Sequence, residues 1–126
     1  MTVIIPGRLA GMNEYTAAQR TNVHKGAMMK RDEQARVVLA LRRARLPSLK
    51  TPITINSRFY EQNKRRDKDN ISGFAHKVIQ DALVETGALP NDGWSEVSGW
   101  TDSFYVDAKN PRIEVEIIEK DRKSVV

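Results

Sequence analysis

Asp67 and Asp69 stand two residues apart, directly behind Lys64, Arg65 and Arg66, and no other stretch of the chain is better equipped for chemistry. Carboxylates hold hard divalent cations, and lysine and arginine attract phosphate. An enzyme that uses a metal to act on nucleic-acid phosphates needs both. In an extended segment, residues at i and i+2 project to the same side, so the two carboxylates can share a cation. A plainer reading fits the same residues: a solvated, charged turn ending in a helix cap.

Two carboxylates make a thin site. Magnesium keeps several waters and takes one or two carboxylates plus a substrate phosphate, and a third acid fixes it more firmly. Asp92, in the turn Pro90-Asn91-Asp92-Gly93, is the candidate third acid, although ordinary turn chemistry also accounts for it. Lys77 falls on one helical flank with Asn70 and Gly73. Side chains on a helix lean toward its N-terminus, so a lysine there can reach back to the turn and neutralise charge on a scissile phosphate. The alternative is an ion pair with Asp81, four residues on. Gly73 leaves room for a phosphodiester or is simply a tolerated helix glycine. His24 and His76 have no histidine partner at helical spacing and read as surface residues. Trp94, Trp100 and Tyr105 have rings able to stack on bases, but aromatic strand residues are commonly core.

The elements that must position these residues follow from periodicity. Thr2-Val3-Ile4-Ile5 reads as a strand closed by Pro6-Gly7. Asn13 is placed to cap a short helix, Gly26 interrupts, and Met28, Ala35, Val38, Leu39, Arg42 and Leu46 mark a helix that Pro47 stops. Its other face carries Lys30, Arg31, Arg36, Arg43 and Arg45. Ile53, Ile55, Ser57 and Phe59 alternate with polar residues in a half-buried strand that runs into the charged turn. Ile71, Phe74, Ala75, Val78, Ile79, Ala82 and Leu83 recur at helical spacing, with Asp69 or Asn70 as cap and Gly87 as terminator. Two strands follow, one with Trp100, Phe104 and Val106 at even spacing and one with Ile113, Val115 and Ile117 facing in. The expected fold is α+β in the order βαβαββ, a mixed sheet with helices packed on it. One domain covers residues 1–120, and 121–126 form a disordered tail.

With 126 residues, 40% apolar and 29% charged, the chain fits one globular domain. No apolar run is long enough to span a bilayer and no signal segment is expected, so the cytoplasm is the expected compartment, without membrane attachment. The absence of cysteine excludes disulfides, thiolate nucleophiles and cysteine-ligated zinc. The net charge is +5, and residues 1–50 hold ten Lys/Arg against three Asp/Glu. A polyanion is the large partner that this surplus implies. Lys64, Arg65 and Arg66, with Lys25, Lys30 and Arg31, are the candidate contacts.

Arg65-Arg66-Asp67-Lys68-Asp69-Asn70, then Lys77, Asp81-Ala82-Leu83, Gly87 and Asn91-Asp92, resemble the core of the RusA-like Holliday-junction resolvases, small endodeoxyribonucleases often carried by phages and prophages. The similar span runs from about residue 53 to residue 119, and Asn13 and Tyr15 resemble the family's N-terminal region. The resemblance implies a homodimer that binds four-way DNA junctions and cuts two strands symmetrically with magnesium or manganese, in DNA recombination and repair. It makes Asp67, Asp69 and Asp92 the metal ligands and Lys77 the catalytic lysine, and adds Asn70, Asn13 and Tyr15 to the DNA contacts. Two departures stand out. The interval from Asp69 to Asp81 is about one helical turn longer than in the founding members, so Lys77 takes the lysine's place counted from Asp-Ala-Leu and Gly73 takes it counted from Asp69. Asn91 replaces the first carboxylate of the family's acidic pair.

Overall fold

The alternation of Ile53, Ile55, Ser57 and Phe59 with Thr54, Asn56, Arg58 and Tyr60 does form a strand, which extends to Glu61 and buries every second side chain. The computed structural model describes residues 1–119, so the expected tail at 121–126 lies outside the described residues. The elements in order are β1 (Thr2–Pro6), α1 (Met12–Thr21), α2 (Val23–Arg43), β2 (Ile53–Glu61), α3 (Lys68–Glu85), β3 (Val97–Val106) and β4 (Arg112–Glu119). The strands make one mixed sheet in the order β1-β4-β2-β3. β4 runs antiparallel to both β1 and β2, with Phe59 opposite Ile113 and Ile55 opposite Ile117. β3 runs parallel to β2, and α3 is the crossover that a parallel pair requires. Among the described residues β1 and β3 are the sheet's edges.

The helices cover one face of this sheet. Val3, Ile5, Ile53, Ile55, Phe59, Ile113, Val115 and Ile117 meet Val37 and Leu41 of α2 and all seven apolar positions of α3 in a single core. Burying a side chain such as Phe74 or Ile79 contributes about 1.5–3 kcal/mol, so the α3 stripe anchors the charged turn that precedes it. Gly87, at a φ of 81°, ends the helix in the left-handed conformation that glycine adopts without strain. The opposite sheet face has no helix on it among the described residues and carries Arg58, Tyr60, Arg112, Glu114 and Glu116.

The region before β2 departs from expectation. Two substantial helices stand there, giving βααβαββ. Gly26 does not interrupt: it lies buried within α2, where a Cβ would come within 2.6 Å of Gln19 Cγ on α1. A small residue allows the two helices to approach. The break falls at Asn22, whose side chain accepts the His24 backbone N–H at 2.8 Å and caps α2. Nor does Asn13 cap α1, since Gly11 holds that position and Asn13 lies inside the helix. On α2 the buried residues are Gly26, Val37, Val38, Ala40 and Leu41, while Leu39, Met28, Ala35 and Arg42 are exposed. Contacts with β1 on one side and α1 and α3 on the other set that stripe, and helical spacing alone does not specify it.

Candidate active site

The charged turn leaves the end of β2 and enters α3 at once. Asp67 is the N-cap residue, extended at φ −68° and ψ 153°, and its side chain makes no capping hydrogen bond. Lys68 and Asp69 are already helical, which corrects the extended geometry expected for residues 67–69. The two carboxylates still share one cleft of about 590 Å³, together with Asn63, Lys64, Arg66 and Lys68. Ile71 and the end of β3, from Phe104 to Val106, also line it. Asp69 accepts the Asn70 backbone N–H at 3.0 Å. Asp67, Asp69, Lys64, Arg65 and Lys68 are exposed and have no ion-pair partner among the described residues. The unsatisfied amides at the start of α3 add a partial positive charge at the same place.

Arg66 is different. Its guanidinium clamps Glu61 through Nε at 3.0 Å and Nη2 at 2.9 Å, and donates from Nη1 to the Leu9 carbonyl at 3.1 Å. Glu61 is only 5% exposed, so this bidentate pair neutralises a buried charge and ties the turn to the chain between β1 and α1. Arg66 is therefore committed to the fold and is not a free phosphate contact. The sequence did carry a signal for its partner: Glu61 continues the inward phase of Ile53, Ile55, Ser57 and Phe59, and a carboxylate in that phase requires a cation.

The flank that carries Asn70, Gly73 and Lys77 meets α1. Asn70 Oδ1 accepts the Asn13 backbone N–H at 2.7 Å, and Glu14 accepts that of Gly11 at 3.1 Å. Asn70 thus supplies from α3 the cap that Gly11, lacking a side chain, cannot provide. Gly73 accommodates Met12, whose Cε would lie 3.2 Å from an added Cβ, so this space belongs to α1 and not to a phosphodiester. Tyr15 stacks on Phe74 with ring centroids 4.5 Å apart and accepts a hydrogen bond from Gln19. Asn13, Tyr15 and Asn70 hold α1 on α3.

Lys77 opens into a second cleft of about 530 Å³, with Tyr15, Arg31, Gln34 and Glu85, about 12 Å along the helix axis from Asp69. It does not reach the carboxylate turn. The expected partner Asp81 instead pairs with Lys30 at 2.6 Å, which takes Lys30 out of the free cations. Lys25 and Arg31 are exposed.

Asp92 lies beside the C-terminal part of α3, where it lines separate depressions, one with Gln80 and Trp100 and one with Asp81 and Glu85. Gln80 stands roughly 16 Å along the helix axis from Asp69 at 1.5 Å per residue, which keeps Asp92 out of the Asp67–Asp69 cleft. Among the described residues no group of three or more acidic or histidine side chains is placed to hold a cation. The donors at Asp67 and Asp69 suit magnesium's habit of taking two carboxylates and completing its shell with water and phosphate. Among the described residues they do not make a three-acid centre.

His76 is not a plain surface residue. Its Nε2 lies 2.8 and 2.9 Å from the two Asp102 oxygens, and its ring stacks on Trp100 at 4.1 Å. The contact fastens edge strand β3 to α3 across 26 residues of sequence, a separation that leaves no local pattern to read. Trp94, by contrast, is fully exposed on its turn.

On the open sheet face the acids are saturated. Glu114 receives Arg58 at 3.0 Å and Arg112 at 2.9 Å, and Asp107 receives Arg112 at 2.9 Å. Hydrogen bonds from Arg112 and then Arg58 hold the Glu114 carboxyl below the usual carboxylate range, and Arg112 does the same to Asp107. In return Glu114 raises both arginines above their ordinary value. No family model matches the chain, and no curated protein matches it.

Proposed function

We propose that this chain is a magnesium- or manganese-dependent endodeoxyribonuclease that binds four-way (Holliday) DNA junctions as a homodimer and cuts two strands symmetrically. One observation carries most of the weight: Asp67 and Asp69 share an open cleft with Lys64 and Lys68, and none of these four has an ion-pair partner among the described residues. The resemblance to RusA-like resolvases supplies the reaction class. Asp67 and Asp69 bind the cation, while Lys64, Lys68 and Arg65 draw the phosphodiester to the same mouth. Held by Asp67 and Asp69, a divalent ion would supply Lewis-acid chemistry at a phosphodiester. Lys25, Arg31 and Lys77, across the helical face, hold the phosphates of a junction arm.

Because Asp92 lies against the C-terminal part of α3, outside the Asp67–Asp69 cleft, it joins those acids only from a second subunit. The homodimer is then a condition for a complete site. A second reading, a non-catalytic protein that binds branched DNA, is favoured by the lack of a three-acid group among the described residues.

A magnesium-dependent cleavage assay on a synthetic four-way junction decides between them. The wild type nicks the junction, whereas Asp69→Asn binds it as well but cleaves at least about a hundredfold more slowly. Mixing Asp69→Asn with Asp92→Asn subunits restores nicking, because half the sites in a mixed dimer then hold three native acids. Absence of metal-dependent nicking on four-way and three-way junctions alike overturns the nuclease and leaves the binding protein; preferential cutting of three-way junctions reassigns the substrate to other branched DNA.

A further inference from the structure

We infer that Tyr105 is a stacking platform for an unpaired nucleobase at the mouth of the carboxylate cleft, a role that rests on the nuclease reading above. Strand register aligns Arg112 of β4, Tyr60 of β2 and Tyr105 of β3 at one level across the sheet. Their side chains form a continuous stack. The Arg112 guanidinium lies 3.8 Å from the Tyr60 ring centroid, and the Tyr60 and Tyr105 rings are 5.0 Å apart and 22° from parallel. Asp107 and Glu114, each 2.9 Å from Arg112, hold the first rung in place. The ladder stops at Tyr105 because β3 is the edge of the sheet.

Tyr105 is 47% exposed. One side of its ring is packed against Tyr60, and beyond the ring no strand among the described residues supplies another rung. A nucleobase fits that position as the fourth rung, on a surface already ordered, which limits the entropy lost on binding. Its ring stands on the open face of the sheet, and the residue lies at the rim of the cleft that holds Lys64, Asp67, Lys68 and Asp69 at the end of β3. An exposed aromatic face beside lysines is what single-stranded nucleic acid recognises, with the base on the ring and the phosphate on the cation. A linear duplex offers no free base face. A branch point does, where crossover bases lose a stacking neighbour. Tyr105 therefore favours branched over linear DNA and seats the scissile phosphate beside Asp67 and Asp69.

The test uses the full chain without divalent metal, a four-way junction with 2-aminopurine at the crossover and a linear duplex with the same label. Wild type quenches the junction label. Tyr105→Ala and Tyr105→Leu lose the quenching and bind the junction about tenfold more weakly, with duplex affinity unchanged, and Tyr105→Phe recovers both signals. The leucine variant keeps apolar bulk on the strand, and thermal melts confirm that each variant is folded. Equal quenching and equal junction affinity in wild type and both non-aromatic variants overturn the stacking role, while salt-dependent junction binding leaves the nuclease reading standing. A wild type that binds neither DNA overturns both.

Discussion

The carboxylates on the open sheet face and those at the head of α3 have the same chemistry in opposite circumstances. Glu114 and Asp107 are each met by arginine at 3.0 Å or less, with their pKa values lowered as a result. Asp67 and Asp69 lie exposed in a cleft with lysines whose charges are not engaged in ion pairs among the described residues. The first set serves the fold, and the second is available to a ligand. Charge count does not separate them: what separates them is whether the fold delivers a cation to each acid. The same division runs between adjacent residues in the turn, where Asp69 is available and Asn70 is committed to α1, and where Arg65 is exposed and Arg66 is locked on Glu61.

The sharpest way to break this comparison is to remove one member from each side and measure both stability and cleavage. Arg66→Ala leaves Glu61 buried without its bidentate partner and lowers unfolding free energy by about 3 kcal/mol in denaturant titrations. Asp69→Asn slows the proposed cleavage at least about a hundredfold yet shifts stability by no more than about 0.5 kcal/mol, as for a surface change outside any network. If Asp69→Asn destabilises as much as Arg66→Ala, the turn acids are structural and the division fails.

A smaller effect probes residue 70. Asn70→Ala removes the cap on α1 and costs about 1 kcal/mol, with faster amide exchange at Asn13 as its local signature. Unchanged exchange there refutes the capping role. On the open face, the folded-state pKa of Glu114 is depressed, so its contribution to stability is complete above the ordinary carboxylate range and is lost as pH falls through the lowered value. Glu114→Gln flattens that acid limb in urea midpoints measured from neutral pH downward. A limb of undiminished slope assigns the acid sensitivity to other groups.

Much of this molecule is legible without coordinates, because some of its determinants are local. The stripe from Ile71 to Leu83 fixes α3 and its buried face, since a period of 3.6 leaves one way to bury seven apolar residues. The alternation along Ile53–Phe59 and Ile113–Ile117 fixes two strands and their inward sides, and even places Glu61 indoors. Asp67 and Asp69 could be singled out for the same reason, as near neighbours whose proximity the chain itself guarantees. Tertiary structure alone decided the rest. Gly26 reads locally as an interruption, but α1 presses against it within a continuous helix, and the buried face of α2 depends on three neighbours at once. Lys77, which a helical wheel aims at the turn, faces a different cleft, and Asp92 stands against the C-terminal part of α3, away from Asp67 and Asp69. Lys30 with Asp81 and His76 with Asp102 pair across distant segments. A local period determines which side of an element is buried; which of several similar polar groups find partners depends on where the packed elements bring them, and that is a property of the whole fold.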